Sequence, residues 1–224
     1  MSPRPLLWLD RLAHDLRGPL TPLQTAAYLL RSGQLDAPKQ AELLELMERQ
    51  TRRLGRMIDE VGDWSRASQD RLLASRDVNE AGLVIDMASS ALTDADGVPL
   101  EPDFAPGAQE ARLACDMQRI AQLLQALVDY SVARSGRLPK VRVSRAAKDL
   151  RIDLTDCGPP LDALSRDALL SEPLPEPPDE GLGLRLLVAR AIAEAHGGTL
   201  AVEDGEGGGL HWRIELPLAG GAEA

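Results

Sequence analysis

The chain has 224 residues, of which 44% are hydrophobic, 27% charged and only 3% aromatic, with a formal net charge of −10; this is an ordinary balance for a folded soluble protein of one large or two small domains, with a core of Leu, Ala, Val and Ile. The charge is uneven: residues 1–74 carry 11 Lys/Arg and 10 Asp/Glu, residues 75–224 carry 14 and 25, and so acidic a second half excludes nucleic acid as partner, because phosphate backbones are met by clustered Lys and Arg. No apolar run approaches the ~20 residues that span a bilayer, Met1-Ser2-Pro3-Arg4-Pro5 does not open a signal peptide, and Cys115 and Cys157 lack metal-ligand spacing. The expectation is a cytoplasmic protein with free thiols, no membrane insertion and no metal cluster.

Leu9, Leu12, Leu16, Leu20, Leu23, Ala27 and Leu30 recur at steps of three and four and predict a first amphipathic helix. Gly33 and Asp36 mark a break, and Pro38 suits the first turn of a second helix. That helix carries Leu43, Leu44, Met47, Leu54, Met57, Ile58, Val61 and Trp64 on its apolar stripe. Two such helices alone bury little, and pairing with a second copy gives a four-helix bundle, so a homodimer is expected, with a monomeric hairpin folded onto the second half as the alternative. Residues 67–76 are polar and read as a linker, dividing the chain into 1–74 and 75–224.

In the second half, residues 79–92 and 116–135 read as helices. Val141-Arg142-Val143 and Leu150-Arg151-Ile152-Asp153-Leu154 alternate as strands. The Pro-rich stretch 172–180 is loop, and 182–196 is a helix closed by Gly197-Gly198. Thr199–Glu203 and Leu210–Leu216 form a terminal hairpin around Gly205–Gly209. The fold class is α+β, a helical hairpin followed by a mixed sheet covered by helices on one face.

The segment Leu12-Ala13-His14-Asp15-Leu16-Arg17-Gly18-Pro19-Leu20 lies on the first helix. His14 points away from the Leu12–Leu16 seam. An imidazole there can attack phosphorus through one ring nitrogen while the other is held, with Asp15 beside it to accept a bond or a proton. Arg17 can steady phosphoryl charge, and Pro19 removes a helical hydrogen bond close by. The segment resembles the phosphotransfer box H-[DE]-x-R-x-P-L of two-component histidine kinases. The resemblance implies that His14 is the phosphorylated residue, with Asp15 and Arg17 assisting. Gly18 stands where many members carry Thr or Asn, which implies loss of that route to partner dephosphorylation.

The second half resembles the ATPase domain of the same family, an α/β sandwich of the histidine-kinase (GHKL) type. Gly181-Leu182-Gly183-Leu184, a helix, and then His196-Gly197-Gly198 match its G-L-G-L and H-G-G boxes. Glycines at a helix entry let backbone N–H groups approach phosphates. Asp156-Cys157-Gly158-Pro159-Pro160 matches D-x-G-x-G with Pro160 in place of the second glycine. The resemblance implies that Asp156 accepts from the adenine amino group and that Gly158 lets the backbone near the base. His196 reads as a helix-end residue and His211 as a structural strand residue.

The remaining box is degraded. Aligned on its apolar positions, the family's N-x-x-x-N falls on Ala126 and Tyr130, neither of which can hold Mg²⁺; Asp129 would serve only if the register shifted by one. Residues 157–180 carry Asp162, Asp167, Glu172, Glu176, Asp179 and Glu180 against Arg166 alone, a sum of −5 that repels a nucleotide's phosphates. The expected function is therefore a phosphorelay protein of the histidine kinase family. His14 would exchange a phosphoryl group with an Asp of a response-regulator receiver domain, with no cofactor needed beyond the Mg²⁺ of that receiver and with an upstream kinase or sensor as supplier. An ATP-dependent autokinase and a non-catalytic dimeric adaptor are the alternatives. With 13 residues ahead of His14, no sensor domain is expected within the chain.

Overall fold

The computed structural model describes residues 5–33, 35–93 and 97–220, with side chains described from Leu12 onward; Met1–Arg4 and the side chain of Leu9 lie outside. The chain divides into two compact units. One comprises the residues up to Gly62 together with Pro175–Gly183, the other Asp63–Leu174 and the residues from Leu184.

The first unit is built on α1 (Pro5–Ser32) and α2 (Ala37–Ala67), the expected hairpin. Gly33, at φ +68°, takes the left-handed conformation that closes a helix. The Asp36 carboxylate then caps α2 by accepting from the Lys39 N–H at 3.1 Å. α1 runs without interruption through Pro19 and Pro22. Ala26 and Met57 are fully buried, whereas Leu20, Leu44 and Ile58 from the two stripes stay 41%, 53% and 64% exposed. α2 runs to Ala67, and residues 68–76 carry neither helix nor strand. No helix among the described residues is long and apolar enough to cross a membrane.

The second unit holds β1 (Asp77–Glu80), α3 (Ala81–Ser89), β2 (Asp103–Phe104), β3 (Arg112–Cys115), α4 (Met117–Ser135), β4 (Lys140–Ala146), β5 (Asp149–Thr155), α5 (Ala163–Ala168), α6 (Arg185–Ala195), β6 (Thr199–Asp204) and β7 (Leu210–Pro217). Five strands form one sheet in the order β2-β4-β5-β7-β6, while β1 and β3 pair separately. Among the described residues only β2–β4 is parallel. The period-2 alternation sets the layers. Val143, Ile152, Ile214 and Leu200 stand opposite one another across four strands and are buried with Ile120, Leu123 and Leu127 of α4 and Val188 and Ile192 of α6. Charged residues take the alternate positions: Asp153 faces Arg142 and Arg213 in register.

The expected helix over 79–92 shortens to α3, because Asp77–Glu80 pair with β3. The helix expected over 182–196 starts only at Arg185: Gly183, at φ +77°, is outside helical space. Cys115 and Cys157 are free thiols, and burial pushes the Cys115 thiol up to about 11.

Candidate functional site

α1 carries His14 on its open side, where the imidazole is 86% exposed and its Nδ1 lies 3.2 Å from an Asp15 carboxylate oxygen. With Nδ1 turned to the carboxylate, Nε2 is the nitrogen left to solvent and to an incoming electrophile. Arg17 is exposed one turn on, and Pro19 is buried. A Cβ at Gly18 would meet nothing within 4 Å, so packing does not demand glycine there.

Asp156 sits where β5 ends, and two strands fix it. Its N–H donates to the Leu210 carbonyl at 3.0 Å, and its Oδ1 accepts from Gly158 N–H at 2.9 Å and Leu210 N–H at 3.0 Å. Oδ2 is buried and accepts no hydrogen bond. Arg134 Nε, from the last turn of α4, stands 3.9 Å from it. Arg134 also donates to the Pro159 carbonyl, and its guanidinium carbon stands 5.7 Å from the centre of the Tyr130 ring. Tyr130 in turn meets the buried Trp212 edge-on at 5.8 Å. Burial pushes the Tyr130 hydroxyl above its ordinary value, with Arg134 opposing. Sequence reading missed Arg134. Its available signal was the four-residue step from Tyr130, which puts both on one helix face.

Gly181 and Gly183 belong to the first unit, and Asp156 and Gly158 to the second. In the first unit the Leu182 N–H donates to Glu60 Oε1 of α2 at 3.0 Å. A Cβ on Gly181 would fall 1.9 Å from that oxygen, so only glycine admits the carboxylate this close. Arg53 donates to the Glu180 carbonyl at 2.8 Å and Arg56 to the Asp179 carbonyl at 3.1 Å. Spaced three and seven residues apart, Arg53, Arg56 and Glu60 form one gripping stripe of α2. A backbone amide of the expected phosphate turn is therefore bonded to the chain's own anion.

The positions expected for the family's two asparagines are Ala126 and Tyr130 on α4. Ala126 and Tyr130 offer no suitable oxygen, and Asp129 pairs with Arg185 at 2.7 Å. Among the described residues no group of three or more His, Cys, Asp or Glu could hold a metal.

His196 caps α6 and is buried: its Nε2 accepts from the Asp116 N–H at 3.0 Å and its Nδ1 faces the Ile192 carbonyl at 2.8 Å. That pattern requires the neutral ring with hydrogen on Nδ1. Burial holds the His196 pKa below its ordinary 6.5, with Arg76 adding, and the Ile192 bond and Asp116 opposing. The unfolded chain therefore binds the proton more readily, and stability present above pH about 6.5 drains as pH falls towards the lowered folded value. Denaturation across pH 5 to 8 is expected to show a loss on the acid side that His196→Gln lacks. That variant also costs about 1–3 kcal/mol at neutral pH by misplacing the acceptor of the Asp116 N–H. His211 bonds Asp153 at 2.8 Å on the charged face of the sheet.

Two family models match. Residues 7–70 match the His Kinase A (phospho-acceptor) domain, and residues 115–220 match the histidine kinase-, DNA gyrase B- and HSP90-like ATPase. Among curated proteins, the chain is 30% identical to the sensor protein ChvG of Agrobacterium fabrum, over 93% of this chain and 38% of that one. It is likewise 30% identical to the nitrogen regulation protein NtrY of Azorhizobium caulinodans, over 95% and 29%. The chain thus spans well under half the length of these relatives. Among solved structures, histidine kinase AdeS of Acinetobacter baumannii superposes with a TM-score of 0.65 at 22% identity, covering 92% of this chain and 98% of that one. Histidine kinase ThkA, in complex with response regulator TrrA, gives 0.66 at 22%, covering 93% and 60%. The chain belongs to the histidine kinase family of two-component systems, and carries both its phospho-acceptor and its ATPase domain.

Proposed function

We propose that the chain works as a dimeric phosphotransfer protein in which His14 exchanges a phosphoryl group with an aspartate of a response-regulator receiver domain, the group reaching it from a partner rather than from its own ATPase fold. The observation that carries this is the exposed His14 imidazole with Nδ1 held against Asp15. In the forward step the Nε2 lone pair attacks phosphorus of the receiver's acyl phosphate. The P–O bond to the aspartate breaks, its electrons stay on the carboxylate, and the proton stays on Nδ1, steadied by Asp15. The return step reverses each move. Arg17, one turn on, is assigned to the phosphoryl charge. The exposed Leu20, Leu44 and Ile58 support pairing with a second copy. Against self-supplied phosphate stand Ala126 and Tyr130 in place of magnesium-binding amides and the hydrogen bond that Leu182 N–H donates to Glu60.

The test incubates full-length protein with Mg²⁺ and γ-labelled ATP, and separately with receiver domains phosphorylated by labelled acetyl phosphate. Acid-labile label from a receiver and none from ATP supports the relay. Label from ATP, absent in His14→Gln, makes the chain an autokinase and sinks the partner-supplied reading. Label from neither source leaves the adaptor.

A further inference from the structure

We infer that Arg134 fills the second unit's base seat, so that adenine enters only when this side chain leaves. The inference goes beyond the proposal above and rests on the resemblance's reading of Asp156 as base acceptor of the ATPase-type unit.

Two features define such a seat: a buried carboxylate oxygen with unused acceptor capacity, and a glycine bare enough for a flat ring to lie close. Asp156 Oδ2 is the first, since Oδ1 already takes both available backbone N–H groups. Gly158 is the second. One side chain covers both. A Cβ at Gly158 would lie 3.2 Å from each of Arg134 Cβ, Nε and Nη2, so the Arg134 stem runs along the bare face. Its Nε stands 3.9 Å from Asp156 Oδ2, with side-chain exposures of 10% and 0%.

The plug is anchored but incomplete. Nη2 donates to the Pro159 carbonyl, and the guanidinium stands over Tyr130. Yet Arg134 Nε and Nη1 and Asp156 Oδ2 are all buried without a hydrogen bond. The tie between Arg134 and Asp156 is an ion pair too long to be a hydrogen bond, which a base amino group at Oδ2 can replace. A seat open in about one molecule in ten weakens apparent affinity about tenfold.

Calorimetric titration of the full chain with ADP and with adenosine decides the matter. Arg134→Ala and Arg134→Met, the second keeping an apolar stem should the first fail to fold, are expected to bind both ligands about tenfold or more tighter than the parent. Asp156→Ala in the same background should remove the gain. Equal or weaker binding in the Arg134 variants, or a gain that survives loss of Asp156, overturns the inference; weaker binding would make Arg134 a ligand contact instead. Label passing from a receiver to His14 does not use this seat, so failure of the relay and failure of the plug are read separately.

Discussion

Replacing His14 by Gln is expected to lower acid-labile phosphoryl label by at least about 100-fold, to background, whichever donor supplies it. Gln keeps polar atoms at the position but offers no nucleophilic nitrogen. The fold should not notice: an imidazole 86% exposed contributes within about 0.5 kcal/mol, so the melting temperature and oligomeric state should match the parent. Asp15→Asn separates holding from chemistry. The amide oxygen can still accept from Nδ1–H, but the negative charge that stabilises a cationic ring is gone. Transfer should slow about 10–100-fold with the end-point label unchanged. A rate equal to the parent's would remove Asp15 from the proposed machinery. Single-turnover transfer from a labelled receiver, followed by quenching in base, measures both variants.

Gly209→Ala is expected to be the most damaging small substitution in the second unit. Its Cβ would fall 1.9 Å from the Asp156 carbonyl oxygen, 2.6 Å from that carbonyl carbon and 2.8 Å from Oδ1. These are backbone and a clamped side chain, so nothing nearby can rotate away. The clash breaks the exchange in which Asp156 N–H donates to Leu210 and Leu210 N–H to Asp156. A cost of about 3 kcal/mol or more follows, or roughly 6–12 °C in melting temperature for a unit of this size. Gly207→Ala is the control two residues away. It sits at φ +91° with nothing within 4 Å, so only backbone strain of about 1 kcal/mol is charged. If the two variants melt alike, the β5–β7 junction is not the rigid base of Asp156.

The long amphipathic helices and the paired strands β4–β5 and β6–β7 were legible because their signals are local: an apolar step of three or four, or an alternation closed by a turn. His14 was legible for the same reason, its box occupying nine consecutive residues. The short strands β1, β2 and β3, of 4, 2 and 4 residues, carry too little alternation to stand out. They exist by pairing with segments far along the chain. Arg134 and Glu60 were missed for a related reason. Each reads as a solvated charge on an amphipathic helix, and its partner lies 22 residues away in Asp156 or 122 away in Leu182. The boxes pointed to the ATPase domain that residues 115–220 match, and no local pattern says that Leu182 N–H bonds Glu60 or that Arg134 lies against Gly158.

The two prolines of α1 bear on how its amides exchange with solvent. Pro19 and Pro22 have no N–H, so the hydrogen-bond ladder is short of two rungs in the turns just after His14. The helix there is held more by tertiary packing, as the burial of Pro19 indicates, than by its own backbone. Deuterium uptake should accordingly be fast across residues 15–21 and slow across 24–30, where the ladder is whole. A helix softened at that point lets the proposed phosphoryl carrier His14 lean one way or another at little cost, while the rest of the hairpin stays stiff.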